Sequence, residues 1–213
     1  MVGKIRKNEL QCIVTALKAE SDPLIRFFDL TPEPNMQFPL FRGDGLALVR
    51  VGVGKNKIAG TLGTFLKSEI KQKWVQVINI GIAGGNPKSS RIGECYLVNK
   101  VVDVETNETY NMDISIKHNL DEKSIMTVTK GISNGKDTYP QLIDMEASSI
   151  CAVTQAYIPI NRLAFLKVVS DYMDLEVANF SYDTIAGLIK DNLPIINKFL
   201  MDFRFKITSG NDA

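Results

Sequence analysis

The residues best placed to do chemistry are carboxylates at the ends of apolar runs. Asp144-Met145-Glu146-Ala147-Ser148-Ser149 puts two acids where an apolar strand (Leu142, Ile143) gives way to a helix. Ser170-Asp171 puts another at the end of Leu163 to Val169, a strongly apolar strand. In a parallel α/β sheet, ligands bind at the carboxyl ends of strands, so acids at two such ends are candidates for acid–base work on a bound substrate. The same residues also have ordinary uses. Asp144 can cap the helix and Asp171 can start a turn, and both readings stand at this point.

Other chemistries fit poorly. Cys12, Cys95 and Cys151 are odd in number and widely spaced, no CxxC pair exists, and His118 is the single histidine. That nearly excludes a Cys/His zinc site, and any Ser-His-Asp or Cys-His mechanism unless His118 serves it. His118 sits in the polar stretch Lys117-His118-Asn119 and reads as surface. The cysteines read as buried thiols of a reducing cytosol. No metal or organic cofactor is implied.

Strands and helices must position these acids. Cys12 to Val14, Leu46 to Val53, Trp74 to Ile80, Glu94 to Val104 and Leu163 to Val169 are β-branched, near-continuous apolar runs, as in strands covered on both faces. Helical patterns lie between them: Lys57 to Ile70, Met145 to Ala156, and a last helix from Ser181 to Phe203. The alternation predicts an α/β fold, a single three-layer domain with a central mixed, mostly parallel sheet flanked by helices. Thr31 to Phe41 and Asn107 to Asp121 read as long loops. The domain is expected over 1–207, with 208–213 as a disordered tail.

The 213 residues fit one domain. Lys plus Arg number 25 against 24 for Asp plus Glu, so no net field gathers nucleic acid or an anionic membrane. The local basic clusters Lys4-Ile5-Arg6-Lys7 and Lys67 to Lys73 read as a terminus and a solvated helix face. The polar N-terminus shows no signal peptide, and no run approaches the roughly 20 apolar residues of a membrane span. A cytoplasmic location is expected.

Two glycine clusters follow strands. Val51-Gly52-Val53-Gly54-Lys55 lacks the third glycine of a dinucleotide fingerprint, since Lys57 stands there, and it also fails the P-loop pattern because Asn56 follows Lys55. Ile80-Gly81-Ile82-Ala83-Gly84-Gly85 reads as a second glycine turn that lets backbone approach a ligand or simply permits positive φ.

Taken in order, the pieces resemble the nucleoside phosphorylase/nucleosidase superfamily, particularly the methylthioadenosine/S-adenosylhomocysteine nucleosidases. Ile13-Val14-Thr15-Ala16-Leu17-Lys18-Ala19-Glu20 looks like the family's opening strand and acidic turn. Asn79-Ile80-Gly81-Ile82-Ala83-Gly84-Gly85 is similar to its Asn-Thr-Gly-Ser-Ala-Gly-Gly, and Ile92-Gly93-Glu94-Cys95-Tyr96-Leu97-Val98 to its Gly-Asp strand entry. Asp144-Met145-Glu146-Ala147 and Val169-Ser170-Asp171 match its two most diagnostic signatures. The resemblance covers nearly the whole chain.

By that resemblance, Asp171 is the general acid that protonates the purine at N7, a role needing a carboxyl kept neutral by burial. Glu146 holds the ribose hydroxyls, and Glu20 positions and deprotonates the attacking water. Met145, Ile82, Gly81, Ser170, Tyr182 and Phe180 are the implied substrate contacts. Tyr182 fits the aromatic cover better than Phe180, because Ser181-Tyr182-Asp183 resembles the family's Ser-Phe-Asp. A homodimer is implied as well. The implied reaction is hydrolysis of the N-glycosidic bond of a purine nucleoside, adenosine-type and with or without a 5′-thio substituent.

Phosphorolysis is the first alternative. Phosphorylases of the superfamily carry an Arg before the central glycine turn and a Ser or Thr inside it, whereas Val77 to Ile82 has neither. Lys55 or Lys57 would substitute only as point charges. A non-catalytic nucleoside-binding relative is the second alternative, against which stand the three retained acids. Futalosine hydrolases share a Gly-Ile-Ala-Gly turn but carry Asn where Asp171 stands. Ile82 replaces the family's small hydroxyl residue, and the segment before Asp144 is shorter than usual.

Overall fold

The computed structural model describes residues 9–174, 178 and 180–209. In chain order these form β1 (Glu9–Thr15), α1 (Lys18–Phe27), β2 (Thr31–Pro32), β3 (Leu40–Gly43), β4 (Leu46–Arg50), α2 (Lys55–Glu69), β5 (Trp74–Gly85), β6 (Cys95–Asp103), β7 (Thr109–Asn111), β8 (Glu122–Thr127), β9 (Leu142–Asp144), α3 (Ala147–Gln155), β10 (Leu163–Asp171), α4 (Tyr182–Asp191) and α5 (Leu193–Ser209).

All ten strands of the described residues belong to one mixed sheet. Its centre is parallel: β4, β1, β5 and β10 lie side by side, with β5 paired to β1 on one edge and β10 on the other. Beyond β10 the sheet turns back through antiparallel β6, then β8 and β9, and β9 returns to the last two residues of β5. The strands β5, β10, β6, β8 and β9 therefore close into a ring. The carboxyl ends of β5, β9 and β10 meet at its mouth.

Alternation along the central strands feeds two cores. Cys12, Val14, Val75, Val77, Leu163, Phe165 and Val169 pack under α2 and α3 with Ile58, Leu62, Phe65 and Ile150. Ile13, Ile78, Ile80, Ala164, Leu166 and Val168 pack under α1, α4 and α5 with Leu24, Ile189, Ile196 and Phe199. This is the expected three-layer α/β arrangement. No helix among the described residues is long and apolar enough to cross a membrane.

Several local expectations are corrected. The glycine cluster Ile80 to Gly85 is no turn, since β5 runs straight through it to Gly85. The acidic turn at Glu20 is the first turn of α1, a helix masked in the sequence by Pro23 in its interior. The supposed loop Thr31 to Phe41 contains β2 and the start of β3, and Asn107 to Asp121 contains β7. The single helix Ser181 to Phe203 is two. Asn192 ends α4, and Pro194, which has no N–H to offer, sits in the first turn of α5. Thr208 and Ser209, expected in the tail, continue α5, while 210–213 and the Lys4–Lys7 cluster lie outside the described residues. His118 is half-buried rather than exposed, with Nε2 at 3.3 Å from Glu122 Oε1.

Candidate active site

At the carboxyl ends of the central strands lies a cavity of about 590 Å³, a size usual for small-molecule sites. Eight of the nine sequence-derived site residues line it: Glu20, Ile82, Met145, Glu146, Ser170, Asp171, Phe180 and Tyr182. The ninth, Gly81, stands behind Glu20. A Cβ on Gly81 would lie 2.8 Å from Glu20 Oε1, so this glycine makes room for a carboxylate rather than for a ligand. The rest of the wall is mainly aliphatic, with Val53, Val128, Ile132, Ile143, Met173 and Ile185.

Glu20 occupies the third position of α1 and caps that helix. Its Oε2 accepts the N–H groups of Ala16 (2.9 Å) and Leu17 (2.8 Å), and its Oε1 accepts that of Ile82 in β5 (3.0 Å). An ionised carboxyl offers about four lone-pair directions, so roughly one remains, on Oε1. Burial pushes the Glu20 carboxyl up, while the three amides and the charge of Lys167 pull it down.

Glu146 is held much more loosely. It ends the β9–α3 connection as the residue before α3, where its side chain caps nothing. Among the described residues one donor reaches it, the Gly54 N–H at 3.3 Å from Oε1. Gly54 adopts φ of 95°, a region natural to glycine, and this turn aims its N–H across from the α2 entrance. Burial, then the neighbouring charge of Asp144, raises the Glu146 carboxyl from 4.5 to about 7.

Asp171 reaches the cavity through an irregularity. The β10–β5 register slips between Val169 and Asp171, which brings both Ser170 and Asp171 to the cavity although neighbours in a regular strand face opposite ways. Asp171 Oδ1 accepts the Met173 N–H at 2.7 Å, and Oδ2 accepts the Ser170 hydroxyl at 2.7 Å. Met173 holds φ of 59°, an unusual value for a non-glycine residue, which turns its N–H back onto the acid. A backbone N–H can only donate. Any proton on Asp171 therefore belongs on Oδ2, where the Ser170 hydroxyl is free to rotate toward Ala83 O at 3.3 Å.

Reasoning from sequence missed Lys167. It is 2% exposed, with Nζ at 2.8 Å from Asp144 Oδ2, behind the wall that carries Glu146. Burial works against the ammonium, but the charges of Asp144, Glu146 and Glu20 outweigh it and hold the lysine above its ordinary value. A lysine inside the apolar run Leu163 to Val169 was the signal. The side chain of Lys55 lies outside the described residues, and Lys57 is not on the cavity wall.

No protein-family model matches the chain, and no curated protein matches it in sequence. Solved structures do. A mutant of the Helicobacter pylori 5′-methylthioadenosine/S-adenosylhomocysteine nucleosidase with 5′-methylthioadenosine in its active site aligns with 90% of this chain and 98% of its own, at a TM-score of 0.73 and 16% identity. The Arabidopsis thaliana 5′-methylthioadenosine nucleosidase aligns over 97% and 98%, at 0.73 and 18% identity. The futalosine hydrolase of Helicobacter pylori aligns over 93% and 98%, at 0.71 and 19% identity. Across nearly its full length, the chain shares the fold of these nucleosidases and of this futalosine hydrolase.

Proposed function

We propose that the protein hydrolyses the N-glycosidic bond of a purine nucleoside of the adenosine type, with water as nucleophile, releasing the free base. The observation that carries this reading is the placement of two carboxylates along β5. Glu20 packs against Gly81 and Ile82, whereas Asp171 lies beside Gly84. Three residues of strand separate these anchor points by roughly 10 Å. Glycosidases that invert their substrate keep their two carboxyls roughly 6.5–9.5 Å apart, to fit a sugar and a water between them. Glu20 and Asp171 line the same cavity, so a sugar and a water can lie between them.

In this reading Asp171 Oδ2 delivers its proton to the leaving base, N7 being the basic site of a purine near the sugar. Glu20 Oε1 orients a water on the opposite face of the ribose and takes its proton. Glu146 accepts the ribose hydroxyls, and its charge favours the oxocarbenium-like sugar as the bond breaks. Met145 and Ile82 pack on the sugar, and Phe180 and Tyr182 cover the 5′ end at the mouth. The aliphatic wall suits a purine face and an apolar 5′-thio group.

Water is favoured over phosphate by charge. Among the described residues, Glu20, Asp144 and Glu146 are buried on the wall, the one buried ammonium, Lys167, stands behind them already committed to Asp144, and Lys18 on the wall is exposed. A phosphate dianion there would meet net repulsion and no guanidinium fork. The reading also includes a homodimer, whose partner would cover exposed Val53, Phe180 and Tyr182 at the mouth, and a cytoplasmic location, consistent with the free thiols of Cys12, Cys95 and Cys151.

Base release from methylthioadenosine, S-adenosylhomocysteine, adenosine and inosine, each with and without inorganic phosphate, tests the proposal. Release independent of phosphate is expected. Release only with phosphate would establish a phosphorylase. Binding without release would establish a non-catalytic relative.

A further inference from the structure

Alternation along β10 places Lys167 on the same face as Leu163, Phe165 and Val169, all packed beneath α2 and α3. A charged pair at such depth is poorly explained by stability. Removing two ions from water costs several kcal/mol each, and an apolar pair of similar volume is commonly as stable. Its neighbourhood supplies a better explanation. Asp144 stands two residues before Glu146 and cannot turn away from Lys167. Asp144 Oδ1 accepts the Thr127 hydroxyl at 2.8 Å, and Oδ2 accepts the Ala147 N–H at 2.9 Å as well as the ammonium. Thr127 Oγ1 is itself fixed by the Ser148 N–H at 3.0 Å, and the Ser148 hydroxyl by Asp103 Oδ2 at 2.6 Å.

We propose that Asp144 and Lys167 are positioning residues that together set the charge of Glu146: the lysine favours the carboxylate that receives the sugar, and the aspartate opposes it while keeping the ammonium from closing onto Glu146 or Glu20. The functional consequence rests on the reading of Glu146 as the sugar-binding group. The charged groups around Glu146 come from several elements: Asp144 of β9, Lys167 of β10 and Glu20 of α1 act on it directly. Asp103 of β6 lies beyond Ser148, and Asp171 and the exposed Lys18 share the cavity. Asp144 shares the cavity wall with Glu146 and its Oδ2 holds the ammonium at 2.8 Å, so the pair is fixed close behind the sugar-facing carboxyl; a role in the reaction, beyond a structural one, is read from the pH profile of hydrolysis.

The test is a carbon-13 NMR titration of the side-chain carboxyls, with the Glu146 resonance assigned by its loss in Glu146→Gln. It is run on the full chain, on Lys167→Met, on Asp144→Asn and on the double variant. A midpoint near 7 is expected in the unmodified protein. It should rise by about one pH unit or more in Lys167→Met, fall by a similar amount in Asp144→Asn, and return toward the starting value in the double variant. Each single variant has its own expected sign, so should one fail to fold the other still decides, and the double variant checks that the two shifts cancel. Midpoints that stay put, or that move the same way in both single variants while melting temperatures drop, would overturn the proposal. Methylthioadenosine hydrolysis is followed in parallel, its rising pH limb expected to track the midpoint. Opposite midpoint shifts without base release from any variant would support the pair and remove the nucleosidase reading.

Discussion

Glu20 and Glu146 face one cavity from opposite helix layers, and their surroundings differ in kind. Glu20 is gripped by three backbone N–H groups from two elements. Glu146 has, among the described residues, a single long contact, and a like charge stands two residues away. A carboxylate whose lone pairs are mostly filled by rigid amides is fixed in place, with one acceptor direction to use. A carboxylate with empty lone pairs waits for donors. The first suits aiming one water, and the second suits receiving a diol. The difference follows from local structure: Glu20 completes the first turn of α1, whereas Glu146 precedes α3 and leaves the capping to Asp144.

Substitutions can break this contrast, and Asp171→Asn sets the scale. It removes the proton donor while keeping the Met173 N–H bond to Oδ1, so turnover of methylthioadenosine should fall by about 10²–10⁴-fold. Binding should persist, as checked by equilibrium binding beside single-turnover kinetics. Near-normal rates would remove Asp171 as the acid. Next comes Glu20→Gln, expected to lose kcat by a comparable about 10²-fold or more. It should also lower stability by about 1–3 kcal/mol in urea denaturation, because an amide NH₂ then faces one of the three N–H donors.

Glu146→Gln should behave differently. We expect a loss of about 10–100-fold shared between KM and kcat, since the sugar is touched in both ground and transition states. Its effect on stability should depend on pH. In the folded protein Glu146 keeps its proton to about 7, against an ordinary 4.5, so the native state binds more protons than the unfolded chain between those values. Stability from this group is therefore full below about 4.5 and lost as pH rises through about 7. The Gln variant lacks that decline, so denaturation should find it gaining on the unmodified protein from pH 4.5 to pH 8. A constant offset would contradict the raised acid. The smallest effect is expected from Gly81→Ala. A methyl 2.8 Å from Oε1 must displace a carboxylate that its three amides resist moving, lowering kcat by about 10-fold through misplacement of the base.

Much of this site was legible in the sequence because its acids stand where apolar runs end. Asp171 closes β10 and Glu146 follows β9, and strand ends are visible as changes in hydropathy. What stayed hidden had competing local signals. Pro23 and a charged, short-period pattern concealed α1, so Glu20 was read as part of a turn and its amide cradle could not be foreseen. The glycines of β5 pointed to a turn, yet they are strand residues whose missing side chains admit Glu20 at Gly81 and Asp171 at Gly84. Lys167 was absorbed into an apolar strand, although a lysine amid Leu, Val and Phe needs a buried partner. That partner, Asp144, is brought to it by long-range pairing, of β9 with β5 and β5 with β10 on one side of the ring and of β9 with β8, β6 and β10 on the other. Such a closure is set by long-range pairing and leaves no trace in local periodicity.

The most direct measurement is to incubate the protein with methylthioadenosine in ¹⁸O-labelled water containing inorganic phosphate, then determine the mass of the released sugar. Hydrolysis aimed by Glu20 places one ¹⁸O at C1 of free methylthioribose, and that is the expected result. A sugar 1-phosphate without label would mean that phosphate is the nucleophile and that the acidic wall around Lys167 has been misread.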